Sequence, residues 1–315
     1  MEAKRRLTKS EIRRRKEKTI SFIILAIVSL IWILPLIYMV GTSFKSDADL
    51  VMHPEKFFPT SLNNWTLKHY EGFIIRDGQL DNMPKWMWNS IWSTGVTVLL
   101  TVIIDAITAY AVVFIDFKGK KTFIKFLLLW MAVPGVIGTS ASYIYFAQVR
   151  NAMNSAFEAA NTQANVIEAL NYMYIYCWLI IPGVTGIFNM LLMRNFFLTI
   201  PMDIIESARS DGANNKKIFF KIVMPLAKST IMLIVLFTFT GAWNNLQFPQ
   251  LLLSGEKIGW NTITVALTGY TGAGAWSAKG VSMATSVFAL IPIIIVFLIT
   301  QNKMIDGLAS TGVKR

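Results

Sequence analysis

The sequence predicts an all-α polytopic membrane protein with six transmembrane helices, and three observations carry that reading. The 315 residues are 54% hydrophobic, with a mean hydropathy of +0.50, too apolar for a water-soluble domain of this size. Only 15% are charged, against roughly 25% in soluble proteins. The apolar residues also gather into six stretches, each close to the roughly twenty residues that cross a bilayer.

Residues 1–19 form a basic arm, with nine Lys or Arg between positions 4 and 18. Such a cluster directly before an apolar run is a cytoplasmic anchor drawn to anionic lipid headgroups, and no nucleic-acid partner is expected. The stretch 20–44 is too long for the apolar region of a signal peptide and has no small-residue cleavage site, so it is the expected first span. The remaining spans are expected at 88–115, 122–147, 173–197, 227–252 and 281–301, giving one transmembrane domain over 20–301 and a tail at 302–315. With the arm inside, the cytoplasmic parts hold 22 of the 30 Lys and Arg, an asymmetry that puts both termini in the cytoplasm.

Three outer loops follow: 45–87, 148–172 and 253–280. Loops this long are seldom idle, and the first and third are expected to meet a soluble donor protein. No role is read for 148–172. Pro134-Gly135 and Pro182-Gly183 mark kinks or breaks in spans 3 and 4. Cys177 is the only cysteine, so no intrachain disulfide is possible.

Catalytic chemistry has no residues to stand on. His53 and His69 are the only histidines and lack partners at metal spacing. No G-x-x-x-x-G-K-[ST] phosphate cradle occurs, so neither a metal nor a nucleotide cofactor is expected on this chain. Asp105 lies inside the second span, where a carboxyl is costly. It invites either a proton or substrate role, or a hydrogen bond within the helix bundle near Thr101, Thr108 or Tyr110. The fifth span ends in Trp243, Asn244, Asn245, Leu246, Gln247, Phe248 and Pro249. Amides and an aromatic ring there suit a sugar pathway, while the plainer reading is interfacial anchoring and contact between helices.

The segment 203–226 is a polar, basic insert between two apolar spans. It reads as two short helices joined at Gly212, where a positive φ lets the chain turn. Pro225 is expected to stop the second helix just before the next span. Ile218, Phe219, Ile222 and Val223 fall on one face and Lys216, Lys217 and Lys221 largely on the other. The surface is expected to dock on another protein.

The spacing of Glu206, Ser207, Ala208, Gly212, Ile222 and Pro225 resembles the "EAA" loop of binding-protein-dependent ABC importer permeases. Ser207 stands for the usual alanine and Met224 for leucine, while Asp211, Ala213 and Phe219 extend the match. Asn89-Ser90, Ala109-Tyr110-Ala111, Ile200-Pro201, Gln301, Gly307-Leu308, the tail Gly312 to Arg315 and Trp243-Asn244 resemble the MalG-type carbohydrate permeases. The resemblance implies a type I ABC importer permease fold in a bacterial inner membrane. It further implies a heterodimer with a MalF-like permease, two ATPase subunits holding the ATP and Mg, and an extracytoplasmic solute-binding protein. In that family the glutamate, here Glu206, forms a salt bridge in a cleft of the ATPase, with Gly212 as the turn. The carboxyl tail reaches toward the ATPase dimer. The implied cargo is a sugar, an oligosaccharide first, with a glycerol-phosphate compound or polyol as the alternative. Loop 148–172 departs from the family by being longer. A different class, a proton-coupled carrier working alone, would use Asp105.

Overall fold

The computed structural model describes residues 9–71, 75–76, 79–80, 82–184, 186–271 and 276–312. In chain order the helices are α1 (Lys9–Ser43), α2 (Asp47–Met52), α3 (Lys68–Glu71), α4 (Met83–Phe114), α5 (Lys120–Trp130), α6 (Gly135–Ala159), α7 (Ala164–Val184) and α8 (Ile187–Phe197). They continue as α9 (Met202–Ser210), α10 (Asn215–Ile218), α11 (Met224–Leu226), α12 (Lys228–Trp243), α13 (Gln247–Leu253), α14 (Ile263–Thr271) and α15 (Trp276–Gly312). One small departure from an all-helical chain is the hairpin β1 (Ile75–Arg76) and β2 (Gln79–Leu80), paired antiparallel.

Arg13–Ser43, Met83–Phe114, Ala164–Val184 and Lys279–Met304 are each long and apolar enough to cross a membrane. Two bent pairs, α8 with α9 and the 215–226 helical run with α12, raise the count to as many as six where each pair is taken as one span. The expected third span is helical in two pieces, α5 and α6, broken where Pro134 takes the N-cap position of α6. The expected fourth span is likewise broken, because α7 ends two residues after Pro182. The expected fifth span divides into α12 and α13 around 244–246, where Pro249 in the first turn of α13 has no N–H for the Asn245 carbonyl four residues back.

The expected outer segment 148–172, where Phe157, Ala160, Ala164 and Ile167 fall at helix-like spacing, is helical on both sides of a short turn. Helix α6 runs on to Ala159, and α7 starts at Ala164 after a turn in which Asn161 takes φ 47°. Helix formers such as Ala152, Met153, Ala156, Glu158, Glu168, Ala169 and Leu170 outlast the apolar stretch, so hydropathy marks the span and not the helix.

Contacts divide the chain into two units: residues 1–80 with 270–288, and 81–269 with 289–315. In the first, the expected loop 45–87 folds around buried charge. The Lys45 ammonium is fully enclosed and donates to the carbonyls of His53 at 2.5 Å and Lys56 at 2.9 Å. Asp49, 2% exposed, accepts from the Thr60 hydroxyl at 2.6 Å, the Thr60 N–H at 3.2 Å and Asn64 Nδ2 at 3.3 Å. The His69 ring nitrogen Nε2 lies 2.8 Å from the Lys45 carbonyl oxygen and packs against Gly280, where any Cβ would collide with the ring.

In the second unit α4 is the central element, packed by α7, α8 and α12. One of its faces carries Ser90, Ser93, Thr94, Thr97, Thr101 and Asp105, all buried. Helices find little hydrophobic drive to associate in lipid, so small and hydroxyl-bearing residues that let backbones approach are the expected seam. Gly183 of α7 meets this face: a Cβ there would lie 3.3 Å from the Thr97 methyl.

Burial alone would raise the Asp49 carboxyl. The two bonds from Thr60 and the nearby Lys45 and His53 outweigh it and hold it below its ordinary value of 3.8. A depressed carboxyl stabilises the fold above its unfolded value and loses that contribution as pH falls through the lower folded value. Asp49→Ala is therefore expected to cost about 1–3 kcal/mol at neutral pH, and the difference from wild type is expected to narrow in strong acid, where the neutral carboxyl keeps only part of its acceptor bonds. Limited proteolysis of the 45–71 segment as a function of pH checks this; equal cleavage of both proteins at pH 7 would contradict it.

Candidate functional site

The segment 201–226 leaves the bundle at sharp bends, 75° between α8 and α9 and 76° between the 215–226 run and α12. Its turn is a Schellman motif: Ala213 N–H bonds the Ala208 carbonyl and Gly212 N–H the Arg209 carbonyl, both at 2.9 Å. Gly212 holds φ 77°, the left-handed region that the motif demands and glycine tolerates. Ala208 and Ala213 face each other across this turn and join the apolar cluster behind it. Asn214 then caps α10, its Oδ1 accepting from Lys217 N–H at 2.9 Å.

The second short helix widens into a π-helical turn over Phe219–Val223. Pro225 has no N–H to give the Lys221 carbonyl four residues back, which relaxes the α pattern there. The expected stop at Pro225 falls instead at Ala227, two residues later, because proline is tolerated in the first turn of α11.

The apolar face of this helix turns inward. Ile218 and Val223 are fully buried, Phe219 is 8% exposed, and Ile222 is half-buried. They pack with Ile205, Tyr110, Phe114 and Phe197 into one cluster. The expected docking surface is thus the opposite face, where Glu206, Ser207, Ser210 and Asp211 are exposed. Met202, Ile204 and Phe220 flank them at 45%, 44% and 66% exposure. Among the described residues none donates a hydrogen bond to the Glu206 carboxylate.

Polar contacts tie the segment to α4. Arg209 Nη2 donates to the Phe114 carbonyl at 3.0 Å. The Tyr110 hydroxyl lies 3.3 Å from the Asn215 carbonyl, and the Tyr110 ring meets Phe219 edge-on at 5.2 Å. Sequence reading missed Arg209; its only signal is a cation within the motif, whose partner is a backbone atom of a distant helix.

The residues around the α12–α13 break have different fates. Trp243 is 2% exposed, donates from Nε1 to the Ala289 carbonyl at 3.0 Å and stacks on Phe239 at 5.5 Å. That is a contact between helices. Asn244, Asn245 and Gln247 are exposed. Trp243 and Asn245 also line a cavity of about 40 Å³ with Ser90, Ser93, Thr97 and Thr264, room for a water and too small for a sugar ring. Beside it, Asn89 Nδ2 donates to the Gly259 and Asn261 carbonyls and the Ser90 hydroxyl accepts from Ile263 N–H, pinning the 258–263 turn to α4. A polar pair opening an apolar span was the signal for these two.

Asp105 is 3% exposed, and among the described residues neither its Oδ2 nor the Thr101 hydroxyl finds a hydrogen-bond partner. Tyr110, one candidate partner, spends its hydroxyl on Asn215. No group of three His, Cys, Asp or Glu that could hold a metal occurs among the described residues.

The family of binding-protein-dependent transport system inner membrane components matches residues 12–305. The chain belongs to that family. It is a transport-system membrane component, similar to the maltose/maltodextrin permease MalG of Vibrio vulnificus at 28% identity, covering 90% of both chains. It is 27% identical to the diacetylchitobiose permease DasC of Streptomyces coelicolor (90% and 92% covered) and 25% identical to the galactooligosaccharide permease GanQ of Bacillus subtilis (98% and 99%). Its fold matches a solved chain from a bacterial ABC transporter involved in the import of alginate, with TM-score 0.68 at 21% identity over 95% of this chain and 99% of that one. The permease thus has the six-helix type I ABC importer fold.

No atom lies within 4 Å of where a Cβ on Gly212 would sit, so Gly212→Ala costs only backbone strain, about 1–2 kcal/mol. Gly212→Asn is expected to cost less, since asparagine tolerates the left-handed region. Thermal unfolding of the purified permease is expected to rank glycine, asparagine, alanine from most to least stable. An alanine variant as stable as wild type would contradict the turn assignment.

Proposed function

We propose that this chain is a permease subunit of an ATP-driven ABC importer for an oligosaccharide, handed over by an extracytoplasmic binding protein. The observation that carries the reading is the family match over nearly the whole chain together with an exposed Glu206 on α9, whose buried face packs into the bundle. Relatives named for maltodextrins, diacetylchitobiose and galactooligosaccharides support a sugar cargo. A glycerol-phosphate compound or polyol fits the same frame and is separated by uptake tests.

In this reading both termini and the 203–226 segment lie in the cytoplasm, where two ATPase subunits hold the ATP and Mg. Glu206, Ser207, Asp211 and the apolar flanks enter a cleft of an ATPase subunit. Ala208, Ala213 and Ile222 hold the segment from within, Gly212 sets its turn and Pro225 relaxes its second helix. A second, MalF-like permease completes the membrane part. Trp243, Asn244, Asn245 and Gln247 border the solute pathway, with Trp243 fixing the α12 end and the amides meeting hydroxyls when the bundle opens. ATP binding closes the ATPase dimer and moves the docked segment, so the two states differ in contacts the partner can select.

Affinity purification of the permease from its native membranes tests this. Wild type is expected to bring down an ATPase and a second permease, and Glu206→Ala to lose at least most of the ATPase. A chain that purifies alone and moves solute in liposomes without ATP would overturn the importer and turn attention to Asp105.

A further inference from the structure

The segment 201–226 meets its neighbouring spans at bends, at Pro201 and at Ala227 below the π-helical turn, and packs on them through Phe197 of α8 and Ile234 of α12. Covalent continuity through two such joints transmits force poorly, because a displacement can be absorbed as rotation at the joint. Its packed contacts reach a third helix, α4, that is not its neighbour in sequence. Three successive carbonyls at the end of α4 are held by cations: Val113 and, just past the helix, Ile115 by the Lys120 ammonium at 3.3 and 3.2 Å, and Phe114 by Arg209 at 3.0 Å. A helix C-terminus carries partial negative charge, so a guanidinium there is held by charge as well as by the hydrogen bond.

We propose that Arg209 is the positioning residue through which the docked segment drives α4, making α4 the helix that moves with the ATPase. This rests on the importer reading above and deepens it. Tyr110 is the second strut, its hydroxyl on Asn215 and its ring against Phe219. Because α4 also packs α7, α8 and α12 and carries the Asn89-Ser90 contacts at its other end, one push at Phe114 reaches the 258–263 turn as motion of a single 32-residue helix. Glu206 would then capture the partner and Arg209 would transmit, two separable roles one turn apart.

The test is the complete importer in proteoliposomes, reading ATP hydrolysis and solute uptake together. Arg209→Ala is expected to keep the ATPase bound and hydrolysing while solute moved per ATP falls at least fivefold. Arg209→Lys, which restores a cation to the Phe114 carbonyl, is expected to recover at least half. If Arg209→Ala fails to assemble, Tyr110→Phe decides: it keeps the ring contact, loses the hydroxyl, and is expected to halve solute per ATP. Unchanged coupling in Arg209→Ala, or in Tyr110→Phe where that variant decides, overturns the proposal. So does a loss of uptake that only tracks lost hydrolysis. If Glu206→Ala sheds the ATPase while Arg209→Ala couples normally, the transmission role alone has failed. If wild type binds no ATPase, the importer reading has failed with it.

Discussion

Helix α4 must be buried on a polar face inside a membrane, and the rest of the structure follows from that constraint. A row of serine and threonine hydroxyls ending at Asp105 cannot face lipid without cost, so α7, α8 and α12 close over it. Close approach is then the source of cohesion, as at Gly183 against Thr97. Ser93 and Thr97 return their hydroxyls to carbonyls one turn back, which removes their need for partners on other helices. Asp105 and Thr101 are where this economy stops, each with an oxygen that no described residue satisfies.

With α4 fixed at the centre, its two ends become the places where other parts attach. At one end Asn89 and Ser90 grip the 258–263 turn. At the other, Arg209 and an aromatic cluster of Tyr110, Phe114, Phe197 and Phe219 seat the 201–226 segment. Charge-assisted bonds of this type contribute about 1.5–3 kcal/mol each, enough to bias a bistable contact and too little to weld it. The bends that flank the segment keep it projecting, so its polar face stays open while its apolar face is used up in the bundle.

Much of this was legible in the residues. Apolar runs marked α1, α4 and α15, and Pro134 and Pro182 marked two breaks because proline forbids the same backbone bond wherever it occurs. Gly212 was legible for the same reason: only a turn with positive φ explains a glycine between two short amphipathic helices. Direction was harder. The apolar face of 218–223 is evident from spacing, yet spacing alone does not say whether the bundle or a partner covers it. Trp243 was ambiguous because an indole anchors helices and stacks on sugars with the same atoms. The enclosed Lys45, Asp49 and His69 were not legible at all, since a charged loop residue reads as solvated until its partners at a distance are known.

The measurement closest to the centre of this account is a pulsed spin-label distance between Ser210 and Asp116, both exposed, in a Cys177→Ser background. It would be taken in the complete importer without nucleotide and with ATP trapped. Segment and α4 moving as one body predicts the same distance distribution in both states, while a label pair between Ser210 and the Trp243 end of α12 changes. A Ser210–Asp116 distance that shifts with nucleotide would mean that the segment slides on α4, and the mechanical link described here would be wrong.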